Sequence, residues 1–401
     1  MARVRILALI LAGGAGSRME LLTEVRAKPA LPYAGVYRLI DFPLSNCVHS
    51  AITDVWVVEQ FQPHSLNEHL VNGRPWDLDR TYGGLRLMPP YTGTREGGWH
   101  QGNADAIYHN RRFIRDFNPD VVLTLSADHI YKLNYRDAIE AHLDSRADVT
   151  IVTTQVPREQ ASRFGVVQLD GKRVTHFAYK PDKPASGTVT TEVFVYDART
   201  LLDTLDELAD ESDETDESGL EDFGHQLLPR LVETGRAYAY PLDGYWRDVG
   251  TIESYFASHM DLLQDEPPLK LDEPDWPILT YGTMRLPARI HGSARIERGL
   301  IAPGCTIHGS VINAVLAPGV VVEPGATVRD AIIFGNTRIQ AGAHVQRAII
   351  DSDVTIGAGA QIGGERSDDE SITLIAQGAQ VAADAVIRAG DRVKSQDAPE
   401  G

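Results

Sequence analysis

Residues 6–18 read ILALILAGGAGSR, an apolar run followed by a glycine-rich turn that ends on a cation, Arg18. Seven consecutive apolar residues are typical of a strand that is buried on both faces. Glycines directly after such a strand let backbone N–H groups approach a phosphate closely. A simple tight turn is the alternative, since the glycines match neither G-x-G-x-x-G nor a Walker sequence. The segment predicts the first strand of an α/β sheet and a candidate phosphate loop at its end.

Short apolar runs and helical segments alternate up to about residue 260. Runs at 54–58, 121–125 and 149–153 predict further buried strands, and residues 104–117 and 134–145 predict helices. This alternation predicts an α/β fold with a mostly parallel sheet. Ligands of such sheets bind beyond the carboxyl ends of the strands.

The composition excludes several classes of protein. Of 401 residues, 43% are hydrophobic and 23% are charged, as in soluble globular proteins of two or three domains. The net charge of −18 argues against general affinity for nucleic acid or anionic membranes, because both depend on cations that neutralise phosphates. Cys47 and Cys305 have no metal-ligand spacing, which predicts a reduced, cytoplasmic location. Residues 1–5 imitate the start of a signal peptide, but the short apolar run after them fits a buried strand better.

A repeat begins after a proline-rich stretch at residues 267–277. A shift of 17 residues superposes three apolar series, Val311–Val328–Val345–Ile362, Leu316–Ile333–Ile350 and Val322–Ile339–Ile356. Such columns predict a parallel β-helix of hexapeptide repeats, with an irregular β-sandwich as the less favoured alternative. The repeat carries no cluster of acids or cations with phosphate-site spacing, so its predicted role is the assembly of subunits.

Eleven acidic residues crowd the segment 203–222. Like charges packed so densely usually stay hydrated, which predicts a solvated helix end and loop. A cation-binding site is the alternative.

Cations follow the glycine turn in a chain that is acidic overall. Arg18 ends the turn, and Lys28 lies within the string RAKPA at residues 26–30. Such a local group of cations favours a polyphosphate ligand at this turn.

Two carboxylates are candidates for holding a metal ion. Asp128 follows the apolar run at 121–125, and Asp248 lies in the string YWRDVGT at 245–251. Mg²⁺ prefers carboxylate oxygens and usually arrives with substrate phosphates. The alternatives are a turn-capping role for Asp128 and a buried pair of Asp248 with Arg247.

Longer strings run through the chain in a recognisable order. They are GGAGSR at 13–18, RAKPA at 26–30, YRLIDFPLSN at 37–46, GNADA at 102–106, ADHIY at 127–131, FGV at 164–166, DFG at 222–224, YWRDVGT at 245–251 and WPI at 276–278. These strings resemble bacterial glucose-1-phosphate adenylyltransferase, also called ADP-glucose pyrophosphorylase. The resemblance implies a Rossmann-like nucleotidyltransferase domain joined to a left-handed parallel β-helix, in a homotetramer. The implied boundaries are a catalytic domain at 1–265, a Pro-rich linker at 266–285, the β-helix at 286–395 and a flexible tail at 396–401.

The resemblance also implies a reaction and assigns residues to it. ATP and glucose 1-phosphate would form ADP-glucose and pyrophosphate, for glycogen or α-glucan synthesis, under the control of small-molecule effectors. Asp128 and Asp248 would hold Mg²⁺, while Arg18 and Lys28 would neutralise the leaving pyrophosphate. The implied nucleotide set is Leu11, Ala12, Gly13, Gly14, Gln60, Gly102 and Asp105. The implied sugar-phosphate set is His100, Gly165, Tyr179, Lys180, Thr190 and Glu192, with Lys180 on the phosphate. Arg38 and the segment 60–64 match regions linked to control, and a purely structural role is the alternative for Arg38.

The sequence departs from the family pattern within the sugar-phosphate set. Tyr179 stands before Lys180 where the family usually has a glutamate that binds sugar hydroxyls. Glu192 replaces the glycine of a Ser-Met-Gly motif, and His100 follows Trp99 in place of tyrosine. The intact strings therefore predict the nucleotidyltransferase class, whereas these departures leave the identity of the sugar open. The alternatives are another sugar 1-phosphate, such as glucosamine or mannose 1-phosphate, another nucleotide, or a weakly catalytic regulatory subunit.

Overall fold

A computed structural model of the chain describes residues 4–14, 16–89, 102–211, 223–282, 284–364 and 372–395. The described residues form two compact units. The first lies within Met1–Ala15 and Phe42–Trp246, and the second within Gly16–Asp41 and Arg247–Gly401. The second unit therefore includes an N-terminal segment as well as the repeat. The predicted domain boundaries at residues 265, 285 and 395 stay a prediction.

The described ranges contain short helices and many short strands. The α-helices are α1 (Asp41–His49), α2 (Pro63–Leu70), α3 (Asn103–Phe117), α4 (Tyr135–Ser145), α5 (Ala198–Glu211), α6 (Leu227–Glu233) and α7 (Ile252–Asp261). The 3₁₀ helices are Ser17–Thr23, Lys28–Ala30, Val71–Trp76 and Arg158–Arg163. Strands before the repeat are β1 (Ile6–Ala12), β2 (Pro32–Tyr33), β3 (Tyr37–Arg38), β4 (Asp54–Glu59), β5 (Gly84–Met88), β6 (Val121–Ser126), β7 (His129–Tyr131), β8 (Val149–Gln155), β9 (Gly165–Asp170), β10 (Arg173–Tyr179), β11 (Thr188–Asp197), β12 (Ala237–Pro241) and β13 (Trp246–Asp248). Strands of the repeat are β14 (Arg289–Ile290), β15 (Arg295–Ile301), β16 (Thr306–Ile307), β17 (Ser310–Leu316), β18 (Val321–Val322), β19 (Thr327–Ile333), β20 (Arg338–Ile339), β21 (His344–Ile350), β22 (Thr355–Ile356), β23 (Gln361–Gly363), β24 (Thr373–Ile375), β25 (Gln380–Val381), β26 (Val386–Ile387) and β27 (Arg392–Val393).

The first unit is built on a nine-stranded sheet in the order β5-β4-β1-β6-β11-β8-β12-β10-β9. Strands β5, β4, β1 and β6 run parallel, as do β8 and β12. Strand β11 runs antiparallel to both of its neighbours in this order, and β10 runs antiparallel to β12 and β9. The sheet is thus more mixed than the apolar runs suggest, because a buried run does not reveal the direction of its partner.

The helices of the first unit pack apolar faces against this sheet. In α3, Ala104, Ile107 and Ile114 are buried in the core, and Asn118 ends the helix in the left-handed conformation. Asn134 caps α4, since its side chain accepts a hydrogen bond from the N–H of Arg136. Both helices lie where the sequence predicts them. None of the described helices combines the length and hydrophobicity that a membrane span requires.

The described part of the acidic segment lies at the end of α5. The carboxylate of Asp206 lies 3.1 Å from Arg111 and also pairs with Arg115. Glu211 lies 2.6 Å from Arg230. These partly exposed pairs support the prediction of a solvated helix face for this part, while residues 212–222 lie outside the described ranges.

The second unit contains a parallel β-helix. One sheet has the order β14-β16-β18-β20-β22-β25, and another contains the longer strands β15, β17, β19 and β21. The 17-residue shift is confirmed, because Val311, Val328 and Val345 lie opposite one another on consecutive strands. The first coil, from β15 to β17, is shorter than those that follow, since Ile296 lies opposite Val311 with a shift of 15 residues.

Residues with positive φ mark the corners of each coil. They form three columns, Arg298–Asn313–Asp330–Arg347, Gly304–Gly319–Asn336–Asp353–Gly378 and Gly325–Gly342–Gly359–Asp384. Glycine, asparagine and aspartate tolerate this left-handed conformation best, which explains why they dominate the columns. Between the corners, the Val and Ile columns are buried and fill the interior. This arrangement confirms the predicted β-helix.

Candidate functional site

The candidate nucleotide set lies at the carboxyl edge of the first unit's sheet. Ala12 lies opposite Glu59, and Leu11 lies opposite Ser126, so β1, β4 and β6 end at the same edge. A Cβ atom at Gly13 would lie 3.1 Å from Oε1 of Gln60, whereas one at Gly14 would meet nothing within 4 Å. The backbone after β1 is therefore open to a ligand on one side and packed against Gln60 on the other.

The start of α3 carries the other described members of the nucleotide set. Gly102 precedes the helix in an extended conformation, and Asp105 is buried in its first turn. An acidic side chain is favourable there because the helix dipole is positive at this end. Nε2 of His109 lies 3.2 Å from Asp105 Oδ1. Asp105 therefore has a structural role in α3 besides its predicted one, and His100 lies outside the described residues.

Asp128 lies directly after β6, where its neighbours orient it. The hydroxyl of Ser126 donates a hydrogen bond to Asp128 Oδ1. Nδ1 of the buried His129 lies 2.8 Å from the carbonyl oxygen of Thr191. A carbonyl only accepts, so Nδ1 carries the proton and, in the neutral ring, Nε2 presents a lone pair. That Nε2 lies 3.7 Å from Asp128 Oδ1.

Sequence patterns alone assign no role to Ser126 and His129, although Ser126 ends β6 and His129 directly follows Asp128. Trp246 supports the histidine ring, with ring centroids 5.3 Å apart and planes at 82°. Phe164 packs edge-on against the same indole at 5.3 Å. The aromatic wall fixes the orientation of His129 beside the carboxylate.

The candidate phosphate cations and Asp248 lie in the second unit. A Cβ atom at Gly250 would lie 2.8 Å from Asp248 Oδ1 and 3.4 Å from Nη2 of Arg18, so both side chains border this glycine. Lys28 is 6% exposed and begins a 3₁₀ helix, and Gly16 packs its backbone against the Lys28 stem. Glycine is favoured at position 16 because φ there is +69°.

The alternative to metal binding by Asp248 is an ion pair between Asp248 and Arg247. Arg247 Nη2 lies 2.7 Å from a carboxylate oxygen of Asp261, on α7. The hydroxyl of Ser254 donates to the backbone carbonyl of Asp248. The Arg247 side chain thus has an acidic partner on α7, and the backbone of Asp248 is held from the same helix.

The described sugar-phosphate set gathers where β9, β10 and β11 meet in the first unit. Gly165 lies opposite Tyr179, and a Cβ atom at Gly165 would lie 2.7 Å from Cγ2 of Thr190. The register of β11 shifts between Thr190 and Phe194, which forms a bulge at Glu192. Glu192 has φ +57°, and its N–H donates to Thr190 Oγ1 at 3.0 Å. Bulges redirect side chains next to functional sites, and this conformation accounts for the glycine of the family motif.

Tyr179 packs on a glycine and contacts Lys180 in this part of the structure. A Cβ atom at Gly224 would overlap the Tyr179 ring, and His225 packs edge-on against that ring at 4.7 Å. The ammonium group of Lys180 donates to the Tyr179 hydroxyl at 2.6 Å and lies 4.4 Å from the ring centroid. Sequence patterns do not identify His225, and they include Gly224 only within the string DFG at 222–224.

Comparisons with known proteins agree with this geometry. Residues 7–265 match the family described as Nucleotidyl transferase, and residues 287–383 match "GlmU-like, C-terminal hexapeptide". A glucose-1-phosphate adenylyltransferase of Clostridium perfringens (strain SM101 / Type A) is 43% identical over 340 residues, 84% of this chain and 86% of that protein. Proteins of the same name from Thermosipho africanus (strain TCF52B) and Clostridium acetobutylicum are 41% and 42% identical, over 81% and 83% of this chain and 78% and 86% of their own length. The chain belongs to the glucose-1-phosphate adenylyltransferase family.

Membership in the glucose-1-phosphate adenylyltransferase family confirms the resemblance and the two-part fold class. The roles of individual residues stay predictions. Within the described residues, the nucleotide and sugar-phosphate sets and Asp128 belong to the first unit, whereas Arg18, Lys28 and Asp248 belong to the second.

Proposed function

We propose that the chain makes ADP-glucose and pyrophosphate from ATP and glucose 1-phosphate. The observation that carries the proposal is the carboxyl edge of the sheet, where an open glycine turn lies beside Gln60 and Asp128 follows the adjacent strand. An open backbone turn suits a triphosphate, and a carboxylate beside it suits the cation that accompanies one. The names of the similar proteins support the choice of ATP and glucose 1-phosphate.

In the proposed reaction, a phosphate oxygen of the sugar phosphate attacks the α-phosphorus of ATP. The bond between that phosphorus and the bridging oxygen breaks, and pyrophosphate leaves with the electron pair. Such a transfer depends on positioning and charge neutralisation more than on covalent chemistry. Arg18 and Lys28 neutralise the leaving pyrophosphate, and the burial of Lys28 strengthens its field because less water screens it. Lys180 holds the phosphate of the sugar.

The proposed cofactor is Mg²⁺, held by Asp128 and Asp248. Their chemistry fits this ion, since carboxylate oxygens are its preferred protein ligands and both side chains are half-buried rather than enclosed. When bound, the ion stabilises the charge that develops on the phosphates. Ser126 and Thr191 contribute by fixing the orientations of Asp128 and His129.

A different sugar 1-phosphate is the second candidate, and the sugar-phosphate set favours considering it. Tyr179 stands in place of the family's glutamate, and its hydroxyl accepts a hydrogen bond from the ammonium group of Lys180. Glu192 supplies a carboxylate from the neighbouring bulge, where it can accept hydrogen bonds from sugar hydroxyls or from an amino group.

Pyrophosphate release tests the proposal. It is measured across a matrix of ATP, GTP, UTP, CTP and dTTP with the 1-phosphates of glucose, glucosamine and mannose, with Mg²⁺ and with EDTA. We expect ATP with glucose 1-phosphate to give the highest kcat/KM, and EDTA to abolish release. A higher kcat/KM for another pair would replace the proposed substrates. No release with any pair would favour the regulatory subunit.

The proposal includes a cytoplasmic homotetramer that small-molecule effectors control. Tyr281, Met284, Leu286 and Ile290 are exposed apolar side chains at the start of the repeat. Such an apolar group is typical of a surface that a partner covers, and a second copy of this chain is the partner proposed here. Light scattering of the full chain tests the assembly, and a monomer at micromolar concentration would contradict it.

A further inference from the structure

A buried ion pair joins the cation-bearing segment of the second unit to the β-helix. Nη1 and Nη2 of Arg26 lie 2.7 and 2.8 Å from the two carboxylate oxygens of Asp351. The Arg26 side chain is 11% exposed, and that of Asp351 is fully buried. A bidentate guanidinium–carboxylate pair shielded from water fixes the direction of both groups.

Further hydrogen bonds hold each end of this pair. Arg26 also donates to Oε1 of Gln377 at 2.9 Å and to the carbonyl oxygen of Leu22 at 3.3 Å. Asp351 Oδ1 accepts from the N–H of Ser352 at 2.6 Å. The guanidinium therefore contacts its own segment and two coils of the β-helix at once.

The carboxylate of Asp351 also lies near a second arginine, Arg38, and stabilises its charge. Burial lowers the pKa of Arg38, the nearby Arg26 lowers it further, and Asp41 and Asp351 oppose the shift. Asparagine at position 351 would have the shape of aspartate but no charge, and only one of its two polar atoms could accept from Arg26. The loss of this carboxylate would thus leave two partly buried cations, Arg26 and Arg38, near each other without one of their counter-ions.

Lys28 follows Arg26 after a single buried residue, Ala27. Pro29 restricts the backbone directly after it, and the N–H of Leu31 donates to the Lys28 carbonyl at 3.0 Å. A shift of Arg26 would therefore pass to the ammonium group of Lys28 over a very short, stiff path.

We infer that Asp351 is a positioning residue for the phosphate site: it holds Arg26, and Arg26 orients Lys28 toward the pyrophosphate. The inference rests on the proposed function, since it uses the role given there to Lys28. It gives the β-helix a part in the chemistry besides the assembly role that its sequence predicts.

The test compares Asp351→Asn with a matched control in the β-helix, Asp384→Asn. Asp384 is exposed and lies in another corner column, that of Gly325, Gly342 and Gly359. We expect Asp351→Asn to lower kcat/KM for ATP about ten- to a hundredfold, with the KM of the sugar phosphate changed by less than about twofold. Binding of pyrophosphate with Mg²⁺, measured by calorimetry, should weaken about tenfold. The control should leave these quantities within about twofold.

Coupling to Lys28 separates positioning from a general loss of structure. In the Lys28→Ala background, Asp351→Asn should weaken pyrophosphate binding by less than about twofold, because the group it positions is gone. An equal loss in both backgrounds would overturn the inference, as would a lower Tm without change in pyrophosphate binding. If Asp351→Asn does not fold, Arg26→Lys keeps the charge but not the bidentate contact, and the same loss and coupling are expected from it. Full-chain protein that binds pyrophosphate but transfers no adenylyl group would refute the proposed function, while the binding comparison would still decide the role of Asp351.

Discussion

Glu59, at the end of β4, is a buried carboxyl group that should make folding stability depend on pH. The residue is 1% exposed, and its Oε1 is buried with no hydrogen-bond partner among the described residues. Burial raises the pKa of Glu59 from 4.5 to about 7, and a hydrogen bond with Asn67 partly opposes the shift. The folded protein therefore retains the proton of this carboxyl group as pH rises above 4.5 and loses it only around pH 7.

The direction of the effect follows from proton binding. Between pH 4.5 and about 7, the folded chain holds a proton on Glu59 that the unfolded chain has released. The free energy of unfolding therefore falls as pH rises through this window and levels off above it. At about 1.4 kcal/mol per pH unit, the full loss is roughly 3 kcal/mol. Glu59→Gln removes the ionisation and keeps the shape, so it should remove this loss.

Urea unfolding of wild type and Glu59→Gln at several values between about pH 5 and pH 8 measures the effect. The stability of the variant relative to wild type should increase by roughly 3 kcal/mol across this range. The comparison cancels His142 and His259, whose pKa values burial lowers to about 4 and which destabilise the fold as pH falls below 6.5. Glu68→Gln, an exposed change on α2, is the control. A difference between variant and wild type that does not change with pH would refute the reasoning.

Four further variants test the proposed site. Asp128→Asn should fold normally but turn over far more slowly. The loss of a metal ligand removes several kcal/mol of transition-state stabilisation. Lys180→Gln should raise the KM of the sugar phosphate about ten- to a hundredfold and that of ATP little, since a charge-assisted contact is lost. Tyr179→Glu combined with Glu192→Gly should increase the preference for glucose 1-phosphate over its amino and epimeric analogues. A site built to hydrogen-bond a particular hydroxyl discriminates strongly against analogues that lack it. Gly224→Ala should raise the sugar-phosphate KM more than the ATP KM, because the new methyl group displaces the Tyr179 ring.

Steady-state kinetics and circular dichroism on the same preparations check these outcomes. Folded Asp128→Asn with more than about a tenth of the wild-type rate, a loss below about 1.4 kcal/mol, would contradict a metal-binding role. Lys183→Gln, an exposed change nearby, is the control for Lys180. Unchanged sugar preference in the double variant would show that positions 179 and 192 do not select the sugar. An unchanged sugar-phosphate KM in Gly224→Ala would show that the position of the Tyr179 ring does not affect sugar binding.

Local sequence patterns were sufficient for the elements that bury their own apolar residues. Strands β1, β4, β6 and β8 lie at the predicted apolar runs, because a fully buried strand must be apolar throughout its length. The 17-residue period was readable because each coil of the β-helix repeats the environment of the coil below. The strings of the family were equally local, and they led to the nucleotidyltransferase class.

Contacts between distant segments could not be predicted in this way. An apolar pattern shows that a face is buried but not what covers it, and a charged residue does not indicate its partner. Arg26 and Asp351 are 325 residues apart, and each has an ordinary surface residue type. Only the folded chain unites residues 16–41 with the β-helix, makes the sheet of the first unit mixed and brings Gly224 under the Tyr179 ring. The bulge at Glu192 likewise depends on the register between β11 and β8, because the packing of both strands selects that register. A glutamate by itself does not favour the left-handed backbone conformation that it adopts there.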